Sequence, residues 1–223
     1  MSLFIDRTMR RVVFACTTLL AGAAFAMTAQ GASSPDQVIQ SATQSVKQNI
    51  DANHAKYQRD KSAFYSYLDQ EVAQLIDTSY VAKIILGTHL KQATPEQVKR
   101  FERAFTNRLI RQYADEMLEN YQTVQVEVKP ARVDGDKATV DTVMNRGGGK
   151  PPVAVQFRLR QKNGEWKIWD VTAENISVVL NFRSQIDAEI KKSSIDAVID
   201  RLEKGQLQVQ TPEGDGAAAT PQS

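Results

Sequence analysis

The sequence predicts an α+β fold in which helices flank a single antiparallel sheet. Up to about position 121, apolar side chains recur every three or four residues, as they do in amphipathic helices. From about 124 to 172, apolar and polar side chains alternate between Gly-containing turns, as they do in antiparallel strands. Helical spacing returns after position 176. Helices grouped before and after one run of strands are typical of an α+β domain, because parallel sheets alternate strands with helices.

The first two helices are predicted from Ser34 to about Tyr57 and from Asp60 to about Ile76. Ser34 is followed by Pro, Asp and Gln, the start signal of a capped helix. Asp60 is a suitable N-cap for the second helix, whose apolar residues recur at spacings of three and four. Both helices therefore have one face available for packing.

A short third helix is predicted over residues 78–86. Asp77 is its N-cap, and Gly87 stands where a left-handed residue is needed to end it. Nearly all of its side chains are apolar, so protein or ligand must cover the helix on most sides.

The central helix is predicted from Thr94 to Tyr121. Thr94 and Gln97 form a capping box, with Pro95 at the first helical position. An apolar stripe recurs every fourth residue: Phe101, Phe105, Leu109, Tyr113, Met117 and Tyr121. Such a stripe drifts by about 40° per step around a helix of 3.6 residues per turn, so its two ends should face different partners. This drift suits either a packed core or a wall that curls around a ligand.

About four strands are predicted, over residues 124–133, 137–145, 153–159 and 166–172. Pro130 interrupts the first, Asp134-Gly135 is a hairpin signal, and Asn163-Gly164 is another. Alternation in the last strand predicts Trp166 and Ile168 on one face, with Trp169 and Val171 on the other. Both faces of that strand should therefore be covered.

Two helices follow the sheet, and the predicted domain covers residues 33–205. The first carries Ile176, Val179, Leu180 and Ile186, and the second begins after Ser193 or Ser194. Residues 206–223 are rich in Gly, Ala, Thr and Pro, a composition that predicts a disordered tail.

Residues 1–32 are predicted to be a cleaved signal peptide, which places the mature protein in the periplasm. Three arginines precede an apolar run with Ala24-Phe25-Ala26 as a processing site. The chain has 28 Lys plus Arg and 26 Asp plus Glu, and three of those arginines and one aspartate lie in this segment. The mature protein is therefore formally neutral, which gives no support for nucleic-acid binding. The single cysteine, Cys16, leaves with the segment, so no disulfide is expected.

Few residues have the chemistry of a catalytic or metal site. His54 and His89 lie far apart without metal-ligand spacing, and the glycine loop from Arg146 to Lys150 lacks the ending of a phosphate-binding loop. Asp170 lies between apolar residues, a setting that raises a carboxyl pKa, and Asp141 on another strand could approach it. We predict no metal and no catalytic group, and keep an enzyme using this pair of carboxylates as an alternative.

A basic face is predicted on the central helix. Acidic residues interleave with its cations, as on a solvated helix surface, with a docking surface as the alternative. Its basic residues are Lys99, Arg100, Arg103, Arg108 and Arg111.

Several short segments together resemble the MlaC family, periplasmic phospholipid-binding proteins that are also called toluene-tolerance auxiliary components. The first are Ile84-Ile85-Leu86-Gly87 and Ala93-Thr94-Pro95-Glu96-Gln97, followed by Phe101, Phe105, Leu109 and Tyr113. The later ones are Pro151-Pro152-Val153, Gly164-Glu165-Trp166, Trp169-Asp170-Val171, Glu174, Ile176-Ser177 and Ile195-Asp196. The resemblance extends from about Ser34 to Lys204. Asn175 stands where the family usually has Gly, and Asn also tolerates the left-handed conformation.

The resemblance implies a curved sheet like that of ketosteroid isomerase and nuclear transport factors, wrapped by helices around an apolar pocket. It also implies a monomeric carrier, with bound phospholipid as ligand and no cofactor, that moves lipid between an outer-membrane lipoprotein-porin complex and an inner-membrane ABC-transporter complex. Such transport maintains the lipid asymmetry of the outer membrane. Two alternatives stay open, a ketosteroid-isomerase-like enzyme and a periplasmic protein-binding adaptor. The residues we expect to line the pocket are Leu75, Val81, Ile84, Ile85, Phe105, Leu109, Tyr113, Val155, Phe157, Trp169 and Val171.

Overall fold

The computed structural model describes residues 33–207 of the 223-residue chain. The expected signal peptide and residues 208–223 of the expected tail lie outside this range. Leu207 is buried at 3% exposure among the helices, so the packed domain extends two residues past the predicted end at 205.

From residue 33 onward, four α-helices precede the sheet: α1 (Pro35–Arg59), α2 (Lys61–Glu71), α3 (Thr78–Leu86) and α4 (Pro95–Asn120). Short 3₁₀ helices cover Ala73–Leu75 and Gly87–Lys91. The predicted caps are present: Asp60 accepts from the amides of Ser62 and Ala63, and Gly87 has a φ of +53°. The predicted second helix is shorter than expected, because a 3₁₀ turn and an extended Ile76 replace its last residues.

The sheet has six strands instead of four: β1 (Gln125–Val128), β2 (Arg132–Asp134), β3 (Lys137–Asn145), β4 (Val153–Lys162), β5 (Glu165–Ala173) and β6 (Ile176–Ser177). All neighbours are antiparallel, in the order β1-β3-β4-β5-β6, and β2 also pairs with β3. β1 and β2 occupy successive parts of one edge, interrupted by the segment that contains Pro130. β1 and β2 together correspond to the first predicted strand, so the two-residue strand β6 is the one addition to the four strands that the sequence predicts.

β6 follows β5 through a two-residue turn, Glu174-Asn175. Both residues have positive φ, +49° and +65°, so Asn175 has the left-handed conformation expected of it. Helices α5 (Val178–Lys192) and α6 (Ile195–Glu203) then complete the fold. Ser177 caps α5 by accepting from the amide of Leu180 at 3.1 Å.

Three hydrophobic clusters hold these elements together. The helical cluster joins α3, the first half of α4, α5 and α6 around Phe101, Phe105, Phe182 and Ile186. The N-terminal cluster joins α1, α2 and the second half of α4 around Ile50, Phe64 and Leu118. The sheet cluster packs Ile39 of α1 against Ala138, Val140, Leu159 and Trp166.

Candidate functional site

The sheet has one apolar face that is covered on only one side. The β-ladder places Phe157 opposite both Val140 and Val171, so these three side chains share that face. On the β3 side, α1 packs against the sheet and Val140 is fully buried. On the β5 side, Phe157 and Val171 are only half-buried, as is Ala173. The apolar face is therefore open around Val171 and Ala173, whereas Trp166 at the other end of β5 is buried.

A β-bulge at Trp169 contradicts the simple alternation predicted for β5. Ile168 pairs with Leu159 and Asp170 pairs with Arg158, so Trp169 is an extra residue without a partner in the ladder. The bulge returns Val171 to the face of Ile168, whereas simple alternation places Val171 with Trp169 on the other face. Trp169 instead packs against the helical cluster, edge-on to the ring of Tyr80.

Helix α4 faces two different clusters, as its drifting stripe predicts. Its first half belongs to the helical cluster and its second half to the N-terminal cluster. The second half buries Ile110, Ala114 and Leu118, which are not part of the predicted stripe. Leu109 is left half-buried and Tyr113 36% exposed, on the part of the helix surface between the two buried faces. Because the buried face of α4 changes direction along the helix, the side chains of Leu109 and Tyr113 are only partly covered.

The eleven residues expected to line a pocket fall into three groups. Three are already packed in the helical cluster: Val81, Ile85 and Phe105. Three are partly buried at its margin: Ile84, Leu109 and Trp169. Of the rest, Phe157 borders the sheet cluster, Val155 is buried, and Leu75, Val171 and Tyr113 are half-buried or exposed.

The three clusters share no residue among those that the structure describes. A small domain usually has one contiguous core with minor satellites. Here the half-buried residues of the expected lining lie at the margins of these clusters, on both α4 and the sheet. This arrangement leaves apolar surface that a ligand can cover.

The opposite face of the sheet is polar, and cations on β4 bind Asp77, the N-cap of α3. The sequence predicted this residue only as a helix cap. Its carboxylate is 1% exposed and accepts from Arg160 and Lys162, both at 2.7 Å. It also caps α3 through the amide of Tyr80. Burial favours the protonated form, but the hydrogen bonds from the two cations outweigh it and hold the pKa of Asp77 below its ordinary value. The backbone amide of Asp77 donates to Ile168 at 2.8 Å, which covers part of the edge of β5.

The two carboxylates considered for catalysis also belong to this polar face. Asp170 is buried, but it accepts from Ser177 at 2.8 Å and from the amide of Val179 at 3.1 Å, which fixes the start of α5. The side chain of Arg158 approaches it at 3.4 Å. These contacts give Asp170 a structural role at the junction of β5 and α5.

Asp141 is likewise engaged by neighbours. Hydrogen bonds from Arg132 and Gln156 hold the pKa of its carboxyl below the ordinary value. A general acid at neutral pH needs the opposite shift. Neither carboxylate lies on the apolar face, so the geometry does not support the ketosteroid-isomerase alternative.

The other polar groups singled out in the sequence have structural contacts. Arg100 binds Asp200 and Glu203 of α6, both at 2.8 Å, so the basic face of α4 is partly a helix-packing surface. The ring of His54 contacts that of Tyr121 in a tilted arrangement, and His89 forms a hydrogen bond with Asp187 at 2.8 Å. Within residues 33–207, no three His, Cys, Asp or Glu side chains are grouped to hold a metal ion. No helix in that range is long and apolar enough to cross a membrane.

An open antiparallel sheet with one partly covered apolar face, wrapped by helices, places the chain among α+β proteins built on a curved sheet. Within that class the family is specific. The chain belongs to the MlaC family, whose description is "MlaC protein" and whose match covers residues 40–204.

Relatives and a solved structure agree with this assignment. The chain is 29% identical to the toluene tolerance protein ttg2D of Pseudomonas putida over 175 residues, 78% of this chain and 81% of that protein. It is 23% identical over 185 residues to the intermembrane phospholipid transport system binding protein MlaC of Haemophilus influenzae, covering 81% and 86%. A phospholipid-binding protein from Ralstonia solanacearum, solved in complex with a phospholipid, has the same fold with a TM-score of 0.69 at 23% identity. That match covers 78% of this chain and 97% of the other.

Proposed function

We propose that this protein is a phospholipid carrier that binds acyl chains against the open part of its apolar sheet face. The names of its relatives support phospholipid as the ligand and transport, instead of catalysis, as the activity. Its place of action is the periplasm. There the protein acts as a monomer that moves lipid between an outer-membrane lipoprotein-porin complex and an inner-membrane ABC-transporter complex, maintaining outer-membrane lipid asymmetry.

The half-covered apolar face is the observation that carries this proposal. Phe157 and Val171 supply half-buried apolar surface on the sheet, while Leu109 and Tyr113 supply it on α4. Acyl chains of a phospholipid match such surface because they offer no polar group to satisfy. Leu75 and Ile84 complete the proposed lining of the lipid site. The buried residues packed beneath this lining are Val81, Ile85, Phe105 and Val155.

The size of the transfer free energy determines how such a carrier releases its ligand. Burying one methylene is worth about 0.8 kcal/mol, so two acyl chains of roughly thirty methylenes represent on the order of 20 kcal/mol of gross transfer energy. Spontaneous release into water is therefore too slow to be useful. Lipid must pass directly to a partner protein while the two are in contact.

Organic extraction of the purified protein, followed by mass spectrometry, tests the proposal. We expect close to stoichiometric phospholipid to remain through purification without added detergent. Extraction of Asp141→Asn in parallel gives a control in which the polar face is altered and the apolar face is intact. A well-folded sample that contains no phospholipid, and takes up none from vesicles, would overturn the carrier proposal.

A further inference from the structure

A second concave surface lies on the other side of β5, away from the open apolar face. This groove, which we call the α5 groove, has a volume of about 520 Å³. It lies where β5, β6 and the first turns of α5 meet. The residues that matter below are Arg158, Thr172, Ile176, Ser177 and Leu180, all of which line it.

The rim of the α5 groove is apolar and exposed. Ile176 is 46% exposed and Leu180 is 52% exposed. Only two other large hydrophobic side chains among residues 33–207, Tyr113 and Val133, are exposed to a similar degree. Two neighbouring exposed aliphatic side chains that border a concavity indicate an interaction surface.

The floor of the groove has unused hydrogen-bonding capacity. Arg158 makes one long bond of 3.4 Å to Asp170, whose oxygens are also occupied by Ser177 and the amide of Val179. A guanidinium has five N–H donors, so Arg158 retains donors for another acceptor. The hydroxyl oxygen of Thr172 is buried and has no hydrogen-bond partner within the described part of the chain.

We propose that the α5 groove is the docking surface for a partner protein in lipid exchange. The partner presents a segment with an aliphatic side chain that packs between Ile176 and Leu180, and a carboxylate that binds Arg158. Charge complementarity selects the carboxylate, because Arg158 is the one charged side chain lining the groove. This inference rests on the proposed function, because only a lipid carrier needs direct transfer to a partner. The geometry of the groove does not depend on the proposed function.

The size of the groove favours a protein segment over a second lipid. Its apolar surface is limited to two side chains, which matches one or two side chains of a partner. Two acyl chains need a continuous apolar lining, and the rest of this groove consists of hydroxyl, amide and guanidinium groups.

β5 connects the two surfaces. Val171 faces the proposed lipid site, and the next residue, Thr172, lines the α5 groove. A partner that docks in the groove is therefore in contact with the strand that holds the lipid.

Site-specific photocrosslinking identifies the occupant directly. We would place p-benzoylphenylalanine at position 180 in cells that make the full chain, and at Val133 as a control, since Val133 is 55% exposed on the distant strand β2. We expect a crosslink at 180 and not at 133, and the crosslinked partner peptide should contain an aliphatic residue next to Asp or Glu. A crosslink to lipid, to a basic segment, or at both positions equally would overturn the proposal, as would none at position 180.

Introducing a charge into the apolar rim tests whether docking is needed for exchange. Leu180→Asp, loaded with labelled phospholipid, should deliver lipid to membrane vesicles from the producing bacterium about tenfold more slowly, since interface anchors contribute more than 1 kcal/mol. Leu180→Met should transfer at the rate of the unmodified protein. Equal transfer by Leu180→Asp overturns the docking surface, whereas absence of bound phospholipid in the unmodified protein is the separate failure of the carrier proposal.

Discussion

The apolar and polar faces of the sheet differ in how their side chains are satisfied. On the polar face, Asp77 and Asp170 are almost inaccessible, and each is surrounded by donors that bind its carboxylate. On the apolar face, Val140 is fully buried beside α1 while Phe157 and Val171, on neighbouring strands, are only half-buried. The buried carboxylates of the first face have their hydrogen-bond partners within the described chain, whereas part of the apolar surface of the second face has no cover there.

This difference separates stability from function. A buried carboxylate with matched cations fixes the position of a helix, and its removal should affect folding. A half-buried apolar residue adds little to folding, and its change should affect what binds there. The same sheet therefore carries anchoring groups on one side and, on the other, the apolar surface that we propose as the ligand site.

The largest effect should come from a charge placed on the open apolar face. Val171→Glu puts a carboxylate where acyl chains are proposed to lie, and the cost of desolvating it without a partner excludes the lipid. We expect the phospholipid content, measured by extraction and mass spectrometry, to fall to a few per cent of that of the unmodified protein. A loss of this size follows from the cost of an unpaired buried charge, which is on the order of several kcal/mol. The circular dichroism spectrum should stay that of a folded protein.

Thr139→Glu is the matched control, since it adds the same charge on the opposite face. Thr139 pairs with Arg132 and Arg158 in the sheet, so a glutamate there has cations directly opposite. Lipid content should be unchanged. If Thr139→Glu empties the protein as completely as Val171→Glu, the distinction between the two faces is wrong.

Removing the carboxylate of Asp77 should produce the largest loss of stability on the polar face. Asp77→Ala deletes a helix cap and leaves Arg160 and Lys162 without their acceptor. We expect the free energy of unfolding, measured in urea, to fall by about 3 kcal/mol. Asp77→Asn keeps the cap and should lose about 1 kcal/mol less. Unchanged stability of both variants would show that these contacts do not anchor α3.

The dependence of folding stability on pH should show the contribution of Asp77 at acid pH. Because the folded-state pKa of Asp77 is depressed, its contribution is fully present above the unfolded pKa of about 3.9 and is lost as pH falls further. The unmodified protein should therefore lose stability below about pH 4 more steeply than Asp77→Asn. Parallel urea titrations at pH 3.5, 5 and 7 check the sign of this difference, and equal slopes would contradict it.

The smallest effect is expected for Asp141→Asn. This carboxylate is partly exposed, so the loss of its contacts with Arg132 and Gln156 should cost under about 1 kcal/mol. Bound phospholipid should be unaffected, since Asp141 lies on the polar face. A large loss of lipid from this variant would restore the idea that Asp141 belongs to the ligand site.

Local signals in the sequence predicted much of the fold. The capping boxes at Ser34 and Thr94, the cap at Asp77 and the hairpin signals at Gly135 and Gly164 all occur where expected. These signals act over three or four residues, so the residues close in sequence are enough to predict the caps and turns.

The details of the candidate site depended on longer-range packing. The bulge at Trp169 belongs to the pairing of β5 with β4, which strict alternation within one strand does not include, so alternation placed Val171 on the face opposite to Ile168. On α4, Ala114 and not Tyr113 is buried, because a small residue permits close helix contact in the N-terminal cluster. The role of Asp77 as an acceptor for two cations required residues more than eighty positions away.

Helix α4 is common to the helical and N-terminal clusters, and α1 is common to the N-terminal and sheet clusters. Because each cluster has its own set of buried residues, we expect the clusters to open locally at different free energies while the others stay packed. Native-state hydrogen exchange would then divide the chain into cooperative units that open at different free energies. Such separate opening would give the proposed long, flexible ligand a way in while the domain remains folded.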